Sequence, residues 1–251
     1  FHHVEYYVGN AKQASEYYKN IFGFSDYAYA GPETGLKDRV SYVIRKNKVF
    51  YVLTTPLKSD HPISKWLLKH GDGVCNIAFN VDSVEGAYKG CLNRGAESVS
   101  DIFTLDDENG SFSQAFIKSY GDCTHSFINN RNYKLWAPNF VDNKNDKKDL
   151  KDTKIELIDH IVANVELDKM DFWKDYYERI FGFSAFVRFD ENDISTKYSS
   201  LKSVVLRSKN WKVKLPINEP AEGLKKSQIE EYLDFNEGPG VQHIALLSSD
   251  I

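Results

Sequence analysis

The chain lacks the features that would place it in a membrane, in an oxidising compartment or on a nucleic acid. No apolar run in its 251 residues approaches the ~20 needed to cross a bilayer, and the opening Phe1-His2-His3 does not make a signal peptide. A soluble, cytoplasmic protein without stable membrane insertion is expected. Basic residues are not in excess: 32 Lys and Arg against 36 Asp and Glu give a formal net charge of -4, whereas a nucleic-acid binder presents a concentrated basic face. Nucleic acid is therefore not an expected partner. Only Cys75, Cys91 and Cys123 are present, an odd number without a Cys-x-x-Cys pair, so the economical reading is three ordinary thiols in a reducing compartment. Apolar residues (41%) and aromatics (14%) are plentiful, enough for packed cores in a chain long enough for two domains.

The chain repeats itself. Tyr-Tyr-x-x-Ile-Phe-Gly-Phe-Ser occurs at Tyr17 to Ser25 and again at Tyr176 to Ser184. Each copy follows an apolar strand with a histidine near its start, His3 in FHHVEYYV and His160 in IDHIVANV. Downstream, Ser41 to Leu53 aligns with Ser203 to Leu215 at a constant offset (203 minus 41 is 162), and GVCNIAF (Gly73 to Phe79) aligns with GVQHIAL (Gly240 to Leu246). In the last pair Asn76 stands where His243 stands. One copy carries two strand histidines and the other a histidine and an asparagine, a poorer metal ligand, so the second half is expected to be functional and the first structural.

Each unit reads as a strand, an amphipathic helix and several β-rich segments. In the first, Ala14, Tyr17, Tyr18 and Ile21 fall on one helical face, with Asn10 as N-cap, Gln13 as its N3 partner and Gly23 as the stop. The matching stripe is Phe172, Trp173, Tyr176, Tyr177 and Ile180, closed by Gly182. The aromatic residues of both strings are expected in the core. A weaker copy between them has strand Val74 to Val81, a helix with Val84, Ala87, Tyr88, Cys91 and Leu92 on one face, and strands near Phe112 to Lys118 and His125 to Asn130. The expected fold class is α+β, built of paired βαβββ modules in two domains: residues 1–140 with two modules (about 1–56 and 74–130), a charged linker at 141–154, and 155–251 with a third module and the first strand of an incomplete fourth. The run Asn143 to Lys154 has one large apolar residue and reads as solvated. Ser227 and Glu230 form a capping box opening a short helix.

His160 and His243 hold the same place in the first strands of consecutive modules, so pairing of those strands would bring them together. Two histidines with a carboxylate and open positions is the donor set of non-haem Fe(II) oxygenases, but a pair of strand histidines also serves packing or hydrogen bonding. Asp159 should point to the opposite strand face from His160 and is a poor third ligand.

The segments LIDHIVANV, YSSLKSVVL, LPINEPAEG, KKSQIEEYLDFNEGPGVQHIAL and KHGDGVCNIAF resemble the 4-hydroxyphenylpyruvate dioxygenase family over essentially the whole chain. The resemblance implies the vicinal oxygen chelate (glyoxalase-like) fold. It also implies Fe(II) held by His160 and His243, and an α-keto acid substrate with O2, converted to homogentisate and CO2 in tyrosine and phenylalanine catabolism. Ser203, Asn218, Gln228 and Gln242 become substrate-binding residues, Gln228 and Gln242 catalytic ones, and a homodimer the assembly. The family's third ligand, a glutamate in a motif like F-x-E-x-I-Q-R, does not occur before Ile251, so a C-terminally truncated, inactive chain is the expectation. Gln242 and His243 are adjacent and can share a cavity only if their strand twists or bulges. A mandelate-forming relative on the same substrate and a non-catalytic binding paralogue are the rival readings. His3 is read as metal-free, His2 as lying on the other face, His61 as a loop residue before Pro62, His70 and His125 as hydrogen-bonded structural residues, and Lys225 and Lys226 as a solvated face.

Overall fold

The computed structural model describes residues 1–144, 152–189, 200–221 and 225–250; most of the expected charged linker (145–151) and the final Ile251 lie outside them. The first unit comprises β1 (His3–Tyr7), α1 (Ala11–Phe22), β2 (Ser25–Ala30), β3 (Arg39–Lys46) and β4 (Val49–Pro56). A helix not read from the sequence, α2 (Pro62–His70), follows; His61 caps it by accepting from the Ile63 N–H at 3.1 Å. The second unit comprises β5 (Gly73–Asn80), α3 (Val84–Asn93), β6 (Phe103–Asp107), β7 (Gly110–Lys118) and β8 (Thr124–Asn129). A two-residue strand within the expected linker, β9 (Val141–Asp142), pairs with β2. The third unit comprises β10 (Ile155–Asn164), α4 (Met170–Phe181), β11 (Ser184–Phe189), β12 (Ser200–Arg207) and β13 (Lys214–Ala221), and is followed by α5 (Gln228–Phe235) and β14 (Gly240–Ser248).

The α+β architecture expected from the repeats is present. One sheet runs β6-β7-β8-β5-β1-β4-β3-β2-β9 and the other β11-β12-β13-β10-β14. β10 and β14 pair antiparallel as β1 and β5 do. β5 is flanked on its far side by β8, whereas β14 is the edge of its sheet.

Local chemistry explains the helix ends. Asn10 accepts from the Gln13 N–H at 3.0 Å, and Gly23 and Gly182 close their helices at φ 70° and 67°, a left-handed conformation that glycine adopts without a Cβ penalty. Ser227 and Glu230 form the capping box. α4 has no side-chain cap from its own N-cap residue, Lys169. Glu219, buried on β13, supplies the acceptor, taking the Met170 N–H at 3.0 Å.

The two copies of the repeated string have different surroundings. Tyr176, Tyr177 and Ile180 are buried, whereas Tyr17 and Ile21 are 56% and 48% exposed, and Phe172 is also exposed. The core assignment of Tyr17 is thus corrected, and Ile21 and Phe172 on the same helical stripes are exposed as well. The cause is that α4 packs against its own sheet and against the first half. The Tyr177 hydroxyl lies 2.6 Å from His125 Nε2 and 3.2 Å from Ser119 Oγ, and Tyr176 donates to the Lys118 carbonyl at 2.8 Å. Arg94 donates twice to the Ile180 carbonyl, at 2.8 and 2.6 Å. α1 buries Ala11, Ser15 and Lys19 instead, the last paired with Asp26. His70 also bridges the halves, 2.8 Å from Asp122 Oδ2 and 2.5 Å from the Asn236 carbonyl. Gly121 sits so close that a Cβ would come within 2.3 Å of the Pro239 carbonyl.

Replacing Ile180 by Ala should therefore cost about 2–5 kcal/mol of stability, against under about 1 kcal/mol for Ile21→Ala at the matching exposed position. Chemical denaturation of both variants checks this; equal losses would contradict the difference in packing. Burial pushes the His125 imidazole down to about 4 from the ordinary 6.5, and His2 likewise to about 4. The unfolded chain binds the extra protons between these values, so stability present above about pH 6.5 should fall as pH drops toward about 4. The melting midpoint followed across that window should decline less steeply in His125→Gln; an unchanged slope would count against His125 as a source of acid sensitivity.

Candidate active site

β10 and β14 place the two histidines. Val162 lies opposite His243, and His160 opposite Ala245. The imidazole centroids are 5.9 Å apart with planes at 74°. Two ligands at about 2.1 Å from one ion hold nitrogens about 3 Å apart, so the rings stand in the range of a shared ion. His160 is about a third exposed, so it is not sealed in a packed core.

Backbone irregularities decide what stands beside each ring. On β10 the register passes from Ile158 opposite Leu246 to His160 opposite Ala245, leaving Asp159 as an extra residue in a bulge. The Asp159 carboxylate consequently turns to His160, with Oδ2 2.8 Å from Nδ1, and Oδ1 accepts from Lys214 Nζ at 2.6 Å. The expectation that Asp159 faces away is overturned by this bulge. These hydrogen bonds, His160's first and Lys214's second, hold the Asp159 carboxyl below the ordinary carboxylate range. On β14 the register passes from His243 opposite Val162 to Val241 opposite Ala163, so Gln242 is the bulged residue. Its Oε1 lies 3.0 Å from His243 Nδ1, so the bulge brings neighbours 242 and 243 together. Partial burial first, and the charge of His160 second, lower the His243 pKa.

Both Nδ1 atoms thus face an oxygen acceptor. A carboxylate or an amide oxygen cannot donate, so in the neutral rings each Nδ1 carries the proton and Nε2 keeps its lone pair. This donor set fits a divalent metal that takes imidazole nitrogen. Among the described residues no group of three His, Cys, Asp or Glu side chains is gathered around a common point.

The other residues singled out in the sequence divide. Ser203 and Asn218 are buried and directly opposite each other on β12 and β13. Asn218 donates to Asn164 Oδ1 at 3.4 Å, and the wholly buried Asn164 leaves Nδ2 without a partner among the described residues. Asn164, which sequence reading missed, shares the His160 face of β10, about 13 Å along the strand. Gln228 opens α5 and is exposed, apart from these amides. A cleft of about 230 Å³ between the halves has His70 and Trp66 at one side and Gln242 and His243 at the other.

The matching face of the first sheet is partly covered by aromatic side chains and keeps a cavity of about 170 Å³ lined by His2, His3, Glu5, Ser41 and Trp136. Trp136 packs 4.9 Å from His2 and 5.4 Å from His3, and also against Tyr27 and Phe50. Asn76 is tied to Ser126 and Thr124. His2 is not on a separate face: its Nδ1 lies 2.7 Å from His3 Nδ1. His70 and His125 are hydrogen-bonded joints between the halves, and all three cysteines are buried free thiols.

No family model matches the chain. Among curated proteins, 4-hydroxyphenylpyruvate dioxygenases align over its full length or nearly so. The Coccidioides posadasii enzyme is 44% identical over all of this chain and 67% of its own length, and that of Yarrowia lipolytica 43% identical over 98% of this chain and 65% of its own. The chain thus spans about two thirds of the length of these relatives. Among solved structures, a mutant 4-hydroxymandelate synthase from Streptomyces coelicolor superposes with a TM-score of 0.87 over 99% of this chain and 71% of that one, at 25% identity. The fold is that of the vicinal oxygen chelate proteins, and the chain belongs to the 4-hydroxyphenylpyruvate dioxygenase family.

Proposed function

We propose that this chain carries the metal- and substrate-binding part of an enzyme that converts 4-hydroxyphenylpyruvate and O2 to homogentisate and CO2 in tyrosine and phenylalanine catabolism. The observation that carries this is the facing pair His160 and His243, each with Nδ1 engaged and Nε2 free. In this reading they hold Fe(II), which when bound would supply open positions for the keto acid and O2 and pass electrons from the keto acid to O2. Ser203 and Asn218, with Asn164 beside them, orient the organic substrate from the same concave face by hydrogen bonding. Gln228 and Gln242 keep the roles the family resemblance gives them, and Gln242 supports His243 as well. Residues 1–140 form the structural domain, 141–154 the linker and 155–251 the catalytic one. A cytoplasmic location and a homodimer accompany this reading through resemblance to the family; among the described residues no helix is long and apolar enough to cross a membrane.

Binding of Co(II), a spectroscopic substitute for Fe(II), should be lost in His160→Ala and in His243→Ala but stay within about twofold in His3→Ala, because only the first two imidazoles face each other with free nitrogens. Absorption titration gives the answer, and equal loss in all three variants would remove the assignment. Supplied with Fe(II), ascorbate and substrate, the chain should form little homogentisate, since two imidazoles without a gathered carboxylate hold the ion weakly. A version extended through the remaining third of a relative should turn over. Equal O2 uptake and homogentisate from both would show that a third ligand arises within these residues, and hydroxymandelate as the product would favour the mandelate-forming reading.

A further inference from the structure

Both metal-binding candidates are preceded by a residue that a β-bulge folds back onto the imidazole. Asp159 does so on β10 and Gln242 on β14. The two contacts are unequal. Gln242 offers a neutral amide oxygen at 3.0 Å, whereas Asp159 offers a carboxylate at 2.8 Å that is itself anchored by Lys214 at 2.6 Å. Lys214 sits on β13, the neighbour of β10 on the side away from β14, so two adjacent strands hold one ring.

We propose that Asp159 is a positioning residue of the site: with Lys214 as its anchor, it fixes the His160 imidazole in the Nδ1–H tautomer and in the orientation that leaves Nε2 bare. This rests on the reading of His160 as a metal ligand. A free neutral imidazole exchanges its proton between two nitrogens, and only one arrangement leaves Nε2 able to ligate. A carboxylate accepts but cannot donate, so it selects that arrangement and raises the basicity of the nitrogen that remains. Restricting the ring also removes rotamers that metal binding would otherwise have to freeze. The internal repeat supplies a comparison. At the positions matching Asp159 and Gln242 the first half has His2 and Cys75. Cys75 is again the extra residue of a bulge, since Glu5 lies opposite Asn76 and Tyr6 opposite Val74, but its thiol turns to the Glu5 carbonyl. His2 meets His3 nitrogen to nitrogen, at 2.7 Å, so one ring of the pair must accept. The half whose histidines pack against Trp136 lacks both oxygen acceptors, and the other half has both.

The test uses the 251-residue chain with Asp159→Ala, Asp159→Asn and Lys214→Met, each checked for folding by circular dichroism. Ring-nitrogen chemical shifts of the metal-free proteins report the His160 tautomer, and titration with Co(II) reports affinity. Asp159→Ala should release His160 into a tautomer mixture and weaken Co(II) binding about 10–100-fold, the usual cost of losing such a partner. Asp159→Asn keeps an acceptor oxygen and should restore the Nδ1–H tautomer and most of the affinity. Lys214→Met, which leaves Asp159 in place but unanchored, should fall between. Unchanged tautomer and Co(II) affinity within about twofold in Asp159→Ala would overturn the proposal. A parent chain that binds no Co(II), while its His160 tautomer still follows Asp159, would overturn the metal reading and uphold the hold of Asp159 on the ring.

Discussion

The antiparallel pairing of β10 with β14 is the constraint on which the site depends. Strands paired in a sheet lie about 4.8 Å apart, close enough for side chains on opposite strands to share one ion. Register is unforgiving, because a slip of one residue would send an imidazole to the core face, where Ile161, Ala163, Ile244 and Leu246 lie. The apolar alternation that turns those residues to the core therefore also holds His160 away from it. Two of the bulges in this pairing each admit one extra residue, Asp159 or Gln242, that meets a histidine.

Duplication provided two such frames, and side chains divided their labour. In the first half Trp136, Tyr27, Phe50 and Phe140 pack over part of the face that carries His2 and His3, and polar groups there satisfy one another: Ser41 with Thr54, and Thr54 with Glu5. In the second half the corresponding strands bury Ser203, Asn218 and Asn164, with one amide donor of Asn164 left without a partner among the described residues. A buried donor without a partner costs free energy. Its persistence is expected where a ligand completes the hydrogen bonding.

What could be read from the sequence follows the range of the interactions. Caps and stops at Asn10, Gly23, Gly182 and Ser227 depend on a few neighbouring residues and were legible. So was the repeat, which implied the strand pairing and hence the meeting of His160 and His243. The ligand roles and substrate contacts came from family resemblance, because two histidines alone do not specify iron. Burial of the repeated string was not legible: Tyr17 and Tyr176 have the same local sequence and differ only in what a distant segment lays over them. The turn of Asp159 toward His160 was missed because strict alternation was assumed, and no local signal marks a bulge there. Helix α2 was also missed, its His61 cap falling outside the usual Ser, Thr, Asp and Asn.

The bonds from Arg94 to the Ile180 carbonyl bear on how the molecule comes to be assembled. The last carbonyls of a helix have no partners within it, and those of α4 are met in part by a guanidinium that precedes Ile180 in the chain by 86 residues. On the ribosome Arg94, at the end of α3, emerges before α4 is synthesised, and N-terminal units generally fold first. The second half can then complete its helix on a surface that the first half supplies. Order of synthesis thereby lets one repeat serve as an intramolecular template for the other.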